Sequence, residues 1–236
     1  MKVTELWRFP VKSLGGEQLE SCTVGEVGLE FDRGWGIVDN ATGNVLTARR
    51  EPRLLFASSR SERGNFVIVL PDGKETDSST DVAAWLDRDV TVLRAGSEGG
   101  TYEVPLDFEN DADWASWQGP PLAWHDSSQA RVSMLSTATV GDWDRRRFRA
   151  NVLLEGAGED ETLGHTVKLG DVLLDVQEQL GRCVMVTRPQ PGIERDLEVL
   201  KRINRERGSL LAVGALVRRR GTVAVGDTLS DLGEFG

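Results

Sequence analysis

The sequence predicts a β-rich α+β protein, and three observations carry that expectation. Short apolar-alternating runs recur along the 236 residues, turns containing Gly, Asn and Asp separate them, and only two stretches show helical periodicity. Residues 5–11, ELWRFPV, alternate Trp7, Phe9 and Val11 against Arg8, and Pro10 suits a strand end. Residues 34–48, GWGIVDNATGNVLTA, read as strand, Asn/Thr/Gly turn and strand, which is a hairpin. Residues 65–75, NFVIVLPDGKE, repeat the pattern around Pro-Asp-Gly. Residues 80–89, TDVAAWLDRD, predict a short helix capped by Thr80 or Asp81, with Val82, Trp85 and Leu86 on one face. Residues 96–130 are rich in Gly, Pro and acid and predict a long functional or linking loop. Short strands follow at 131–138 and 151–156, as one does earlier at 90–95, and Gly-Asp turns adjoin apolar strands at 169–179 and 221–229. Residues 196–207, DLEVLKRINRER, predict the clearest helix, with Leu197, Leu200 and Ile203 on its stripe.

Composition excludes several classes. A formal net charge of -10 argues against a general nucleic-acid or anionic-membrane binder, because phosphate polymers are repelled on average. No apolar run reaches the roughly 20 residues of a membrane helix, and the start, MKVTELWRFP, lacks the apolar region of a signal peptide. Two cysteines cannot form a disulfide framework, so a reducing cytoplasm is the expected compartment. With only Cys22, Cys183, His125 and His165 available, a four-cysteine iron–sulfur cluster is excluded and a structural zinc site is disfavoured.

Four stretches can carry chemistry. In FPVKSLGGE, Lys12 and Ser13 precede a Gly15-Gly16 turn, so an ammonium, a hydroxyl and exposed backbone N–H groups could cradle a phosphate. The same pattern also fits a surface lysine in a hairpin loop. Asp32 and Arg33 in LEFDRGW are adjacent, and an Arg held by its neighbour is well oriented for an anion. In DRRRFRANVLL, Arg145 to Arg147 read as a solvated face, whereas Arg149 and Asn151 alternate with apolar neighbours and share a side if the run is a strand. Cys183 in QEQLGRCVMVTRPQPG stands alone beside Arg182, either as a small buried thiol or as a thiolate that needs no partner cysteine. The VMV that follows reads as continuing a strand.

Taken in order, LWRFPVKSLGG, FDRGW, LTARREPRL, MLSTA, FRANVLL, LGD, GRCVMVT and GTVAVGD resemble the MOSC-domain family across nearly the whole chain. That family includes the mitochondrial amidoxime-reducing component and bacterial reductases of N-hydroxylated compounds, and the domain also ends molybdenum-cofactor sulfurases. The resemblance implies a MOSC β-barrel from residues 1–33 plus 105–236, with a smaller inserted α/β unit at 34–104 and a cofactor in the cleft between them. It implies that Cys183 is the thiolate ligand of molybdenum in a molybdopterin-type cofactor, which supplies the other sulfurs itself; one soft thiolate suits that metal better than zinc. Lys12, Ser13 and Arg33 match contacts to the cofactor phosphate, and Arg149 and Asn151 match contacts near the pterin or metal. Ser136 and Thr137 match further hydrogen-bond donors, and Arg182 favours the thiolate form of Cys183.

The implied activity is reduction of amidoximes or hydroxylamines, with electrons from a separate redox protein, because no fused iron–sulfur domain follows the barrel. Carriage or sulfuration of the cofactor is the alternative. Leu180 stands where many relatives have a second cysteine, and RPQPG at 188–192 replaces a usual acidic turn. Both departures bear on the substrate rather than on the cofactor, and residues 46–54 and the acidic loop are expected to shape substrate access.

Overall fold

The computed structural model describes residues 1–105 and 113–235. Within the strand Val172–Gly181, alternation of buried and half-buried residues from Val172 to Gln177 puts Val172, Leu174 and Val176 on one face, as a strand period of two requires. That strand lies within an eight-stranded sheet. Its order is Leu229–Glu234, His165–Leu169, Val172–Gly181, Leu210–Arg219, Val132–Ser136, Val152–Leu154, Val3–Arg8 and Glu17–Leu19. Neighbours run antiparallel except Val132–Ser136 and Val152–Leu154, which are parallel. Val3, Leu6, Met134, Val152, Val167 and Val213 from across this sheet share one core with Cys22, Val24 and Val223 of a three-stranded sheet. Residues from strands so far apart in the order can meet only if the sheet curls around them, as in a β-barrel-type fold.

A second core gathers Val11, Leu14, Trp35, Ile37, Leu54, Ile68 and Leu86 beneath the hairpin Ser58–Glu62, Asn65–Val69 and helix α1, Ser79–Leu86. A third lies outside the curled sheet, under helix α2, Thr137–Val140, and helix α3, Glu198–Arg207.

Several expected elements take a different form. The 34–48 hairpin is present but short, held by the antiparallel bridge Val38 to Val45 and by the Asp39 N–H to Asn44 and Leu46 N–H to Ile37 carbonyl bonds, while the other edge of Trp35–Asp39 pairs along its length with Val90–Arg94. Helix α1 is capped one turn earlier than expected, by Ser78, whose side chain accepts from the Thr80 N–H. Within 96–130, Thr101–Pro105 and Trp114–Gln118 pair as strands, while residues 106–112 lie outside the described residues. In α3 the buried residues are Val199 and Ile203, and Leu197 is exposed. After Cys183 the chain does not continue as a strand: Val184–Thr187 is a 3-10 turn.

Candidate functional site

The turn after Val3–Arg8 brings Lys12 inward, contrary to the surface-lysine reading: the residue is 3% exposed. Its ammonium donates to the Trp124 carbonyl at 2.9 Å and to Asp126 Oδ1 at 2.6 Å, and faces the Tyr102 ring 4.3 Å from its centroid. Burial pulls the Lys12 pKa down; Asp126 works against this, and Arg33 and Arg149 reinforce it. The expected backbone cradle is not open, since the Lys12 and Gly15 N–H groups donate to Trp35 and Ala57 carbonyls. Gly16 is required there for a steric reason: a Cβ would stand 2.3 Å from the Arg8 carbonyl oxygen.

Arg33 is ion-paired to Asp32, whose other carboxylate oxygen accepts from the Phe9 N–H at 2.7 Å. The Arg33 guanidinium also donates to the Arg149 carbonyl at 3.3 Å. Arg33 and Arg149 both stack on the Phe9 ring, at 5.2 and 4.4 Å from its centroid. Arg149 donates to the Leu14 carbonyl at 2.6 Å and forms no ion pair among the described residues. Burial and the nearby Arg33 lower its pKa to about 9, which still leaves it charged at neutral pH. Ser13, Arg33 and Arg149 all have left-handed backbones, with φ of 70°, 51° and 54°. Such non-glycine residues each cost about 1–3 kcal/mol and persist where the surroundings over-determine them, often at functional sites.

Arg182 is held by the Leu211 and Phe148 carbonyls. Burial lowers its pKa to about 10, while Cys183 attracts its charge and Arg33 repels it. Cys183, the sequence neighbour of Arg182, and Arg33 are thus both within electrostatic reach of the Arg182 guanidinium. The two cysteines differ sharply. Cys22 is buried in the barrel core with its Sγ 3.2 Å from the Thr23 carbonyl, whereas Cys183 is half-buried and its side chain makes no capping hydrogen bond.

The side chains of the other expected residues are engaged by local partners. Ser136 caps α2, accepting from the Thr139 N–H and donating to the Thr139 hydroxyl, and Thr137 exchanges hydrogen bonds with Gly156. Neither hydroxyl is directed to the cluster. Asn151 does not share a side with Arg149, because the strand begins only at Val152 and Arg149 is left-handed. Its side chain instead accepts from the Ser133 N–H and hydroxyl and donates to the Trp7 carbonyl, pinning two strands together. The Ser13 hydroxyl accepts from the Ala48 N–H. Arg147 is no solvated residue either: it is buried and clamps the Val186 and Glu194 carbonyls.

Sequence reasoning missed the partners Phe9, Tyr102 and Trp124, and gave Asp126 no role. Among the described residues the buried Tyr102 hydroxyl and Trp124 indole N–H have no hydrogen-bond partner. His125 is buried, and burial first and Arg33 second lower its pKa to about 4, so it is neutral at pH 7 and no ready proton donor. Next to the cluster lies an apolar cavity of about 430 Å³, walled by Trp7, Leu55, Phe56, Leu70 and Leu153. It shares Phe9 and Arg149 with the cluster and is lined by Arg145 and Arg146 too, but not by Lys12, Arg33 or Cys183, so the thiol and the buried lysine put the candidate site at the cationic cluster beside it.

A curled β-sheet packed against a second core, with a cationic cleft and a half-exposed thiol, defines a β-barrel-type protein equipped to hold an anion. Family models narrow this: the MOSC N-terminal beta barrel domain matches residues 1–114, and the MOSC domain matches residues 119–230. The chain belongs to the MOSC-domain family. It is 25% identical over 258 residues to a molybdenum cofactor sulfurase of Drosophila mojavensis, covering 92% of this chain but only 32% of that protein. It is also 25% identical over 283 residues to mitochondrial amidoxime-reducing component 1 of Mus musculus, covering 98% of this chain and 82% of that protein. Among solved structures, the YUAD protein of Bacillus subtilis aligns with a TM-score of 0.49 at 12% identity, covering 97% of this chain and 93% of that one.

The donor set fits a molybdopterin-type group. Four cations, Lys12, Arg33, Arg149 and Arg182, face two carboxylates, Asp32 and Asp126, leaving a formal surplus of two positive charges. Among the described residues no group of three or more His, Cys, Asp or Glu could hold a metal ion alone. A metal here therefore needs ligands that arrive with it, as a dithiolene does. No described helix is long and apolar enough to cross a membrane.

Proposed function

We propose that this chain binds the molybdenum cofactor in the cationic cleft and reduces N-hydroxylated compounds, with electrons from a separate redox protein. The observation that carries the reading is the uncommitted, half-exposed Cys183 thiol beside a cluster of cations with a surplus of charge. Cys183 is the residue that would hold the metal. Lys12, Arg33 and Arg149 would hold the phosphate and the polar end of the pterin, with Ser13 at the same turn. When bound, the cofactor supplies a two-electron redox centre. The protein contributes binding, orientation and field: the left-handed backbones at Arg33 and Arg149 and their shared Phe9 platform fix the two guanidiniums before a ligand arrives.

The overall reaction takes two electrons and two protons, converting N–OH to N–H and releasing water. His125, neutral and tied to the Val27 carbonyl at 3.1 Å, is not the proton source. The similarity to molybdenum cofactor sulfurases supports a second reading, a carrier or sulfuration role that uses the same residues. A reductant-driven assay with benzamidoxime on cofactor-loaded protein separates the two. Formation of benzamidine supports the reductase, and cofactor retention without turnover supports the carrier.

A further inference from the structure

We propose that Asp126 is an internal counter-ion that occupies the Lys12 subsite in the free protein, so that an anionic ligand must displace it to reach Lys12. This rests on the cofactor reading of the cleft and adds the residue that sets how tightly the empty site takes an anion.

The Lys12 ammonium has three N–H bonds, and all three directions are taken by the Trp124 carbonyl, Asp126 and the Tyr102 ring. An arriving anion must replace one of them. Trp124 and Tyr102 are buried framework: the Trp124 N–H donates to the Arg33 carbonyl at 2.8 Å, and Tyr102 pairs with Trp117 between strands. Asp126 is the movable member, since its side chain is 82% exposed while that of Lys12 is 3% exposed. The backbone around it is tethered on both sides, by His125 to the Val27 carbonyl and by the Ser127 hydroxyl to Glu178 at 2.5 Å. Displacement is therefore a rotation of one side chain into water and needs no movement of the loop.

Asp126 competes for Lys12 from within the chain at high effective concentration. Once it has rotated out, Lys12, Arg33, Arg149 and Arg182 face Asp32 alone, and this larger positive surplus attracts a dianion more strongly than a monoanion.

The test is calorimetric titration of cofactor-free protein at pH 8 with phenyl phosphate, inorganic phosphate and acetate, using wild type, Asp126→Asn, Asp126→Ala and Arg149→Ala. Asp126→Asn should bind phenyl phosphate roughly tenfold tighter or more, since a like charge within a few ångströms is removed. Acetate affinity should rise as well, by no larger a factor, since a monoanion carries half the charge that Asp126 opposes. Asp126→Ala should behave likewise, without an amide that could still hydrogen-bond Lys12. If both Asp126 variants bind phosphate no tighter than wild type while Arg149→Ala binds it more weakly, the counter-ion proposal falls and the cleft stands. If Arg149→Ala keeps wild-type affinity, the cleft reading fails and takes this proposal with it.

Discussion

Replacing each cysteine by serine should separate a core thiol from a ligand thiol within one molecule. Cys22 packs among Val24, Val223 and Leu29 in the barrel core, and burial raises its pKa. Serine there puts a hydroxyl in place of sulfur, at about 1–3 kcal/mol if it is unsatisfied. The Thr23 carbonyl, 3.2 Å from Cys22 Sγ, offers it one partner, so the lower part of that range is expected. A protein of this length shifts its Tm by roughly 2–4 °C per kcal/mol, which gives a fall of about 2–8 °C. Cys183 is half-buried at the start of a 3-10 turn and its side chain caps nothing, so its serine variant should stay within about 0.5 kcal/mol of wild type. Thermal melts of cofactor-free protein followed by circular dichroism give both numbers. Iodoacetamide on native protein supplies a second readout, with labelling expected at Cys183 and not at buried Cys22. If Cys183→Ser melts as far below wild type as Cys22→Ser does, Cys183 is a packing residue and the ligand assignment is wrong.

Other outcomes follow from the same geometry. Arg33→Ala and Arg149→Ala should each weaken cofactor retention by about ten- to a hundredfold, since a charge-assisted hydrogen bond contributes roughly 1.5–3 kcal/mol. Alanine and arginine both carry a Cβ at these left-handed positions, so the backbone cost is unchanged; folded variants that retain the cofactor as tightly as wild type would contradict a binding role. His125 should destabilise the fold on acidification. Its folded pKa of about 4 lies below the ordinary 6.5, so the unfolded chain binds the proton first; stability is full above pH 6.5 and falls as pH drops toward 4. At about 1.4 kcal/mol per unit the loss reaches about 3 kcal/mol. Urea midpoints at several pH values should show this slope in wild type and lose most of it in His125→Gln.

Alternation and turn chemistry made the β-rich class, the hairpin at 65–75 and helix α3 legible, because each rests on neighbours in sequence. The strand Ser58–Glu62 was not legible: SSRSE shows no apolar alternation, and it is a strand because Asn65–Val69 pairs with it across a left-handed Arg63-Gly64 turn. Within the site, Lys12, Arg33, Arg149 and Cys183 could be named through motif order. Their partners could not, since Lys12 meets Trp124 and Asp126 from more than a hundred residues away and Tyr102 sits in a stretch expected to be loop. Asn151 and Arg149 misled for a local reason: a positive φ at 149 breaks the alternation that would have put them on one side.

The most direct measurement is the molybdenum content of wild type and Cys183→Ser purified from a host that makes the cofactor. Wild type should carry near-stoichiometric molybdenum and release an oxidised pterin on denaturation. Cys183→Ser, equally well folded, should lose the metal or show a changed metal absorption spectrum. Folded wild-type protein that repeatedly contains neither molybdenum nor pterin would contradict the account.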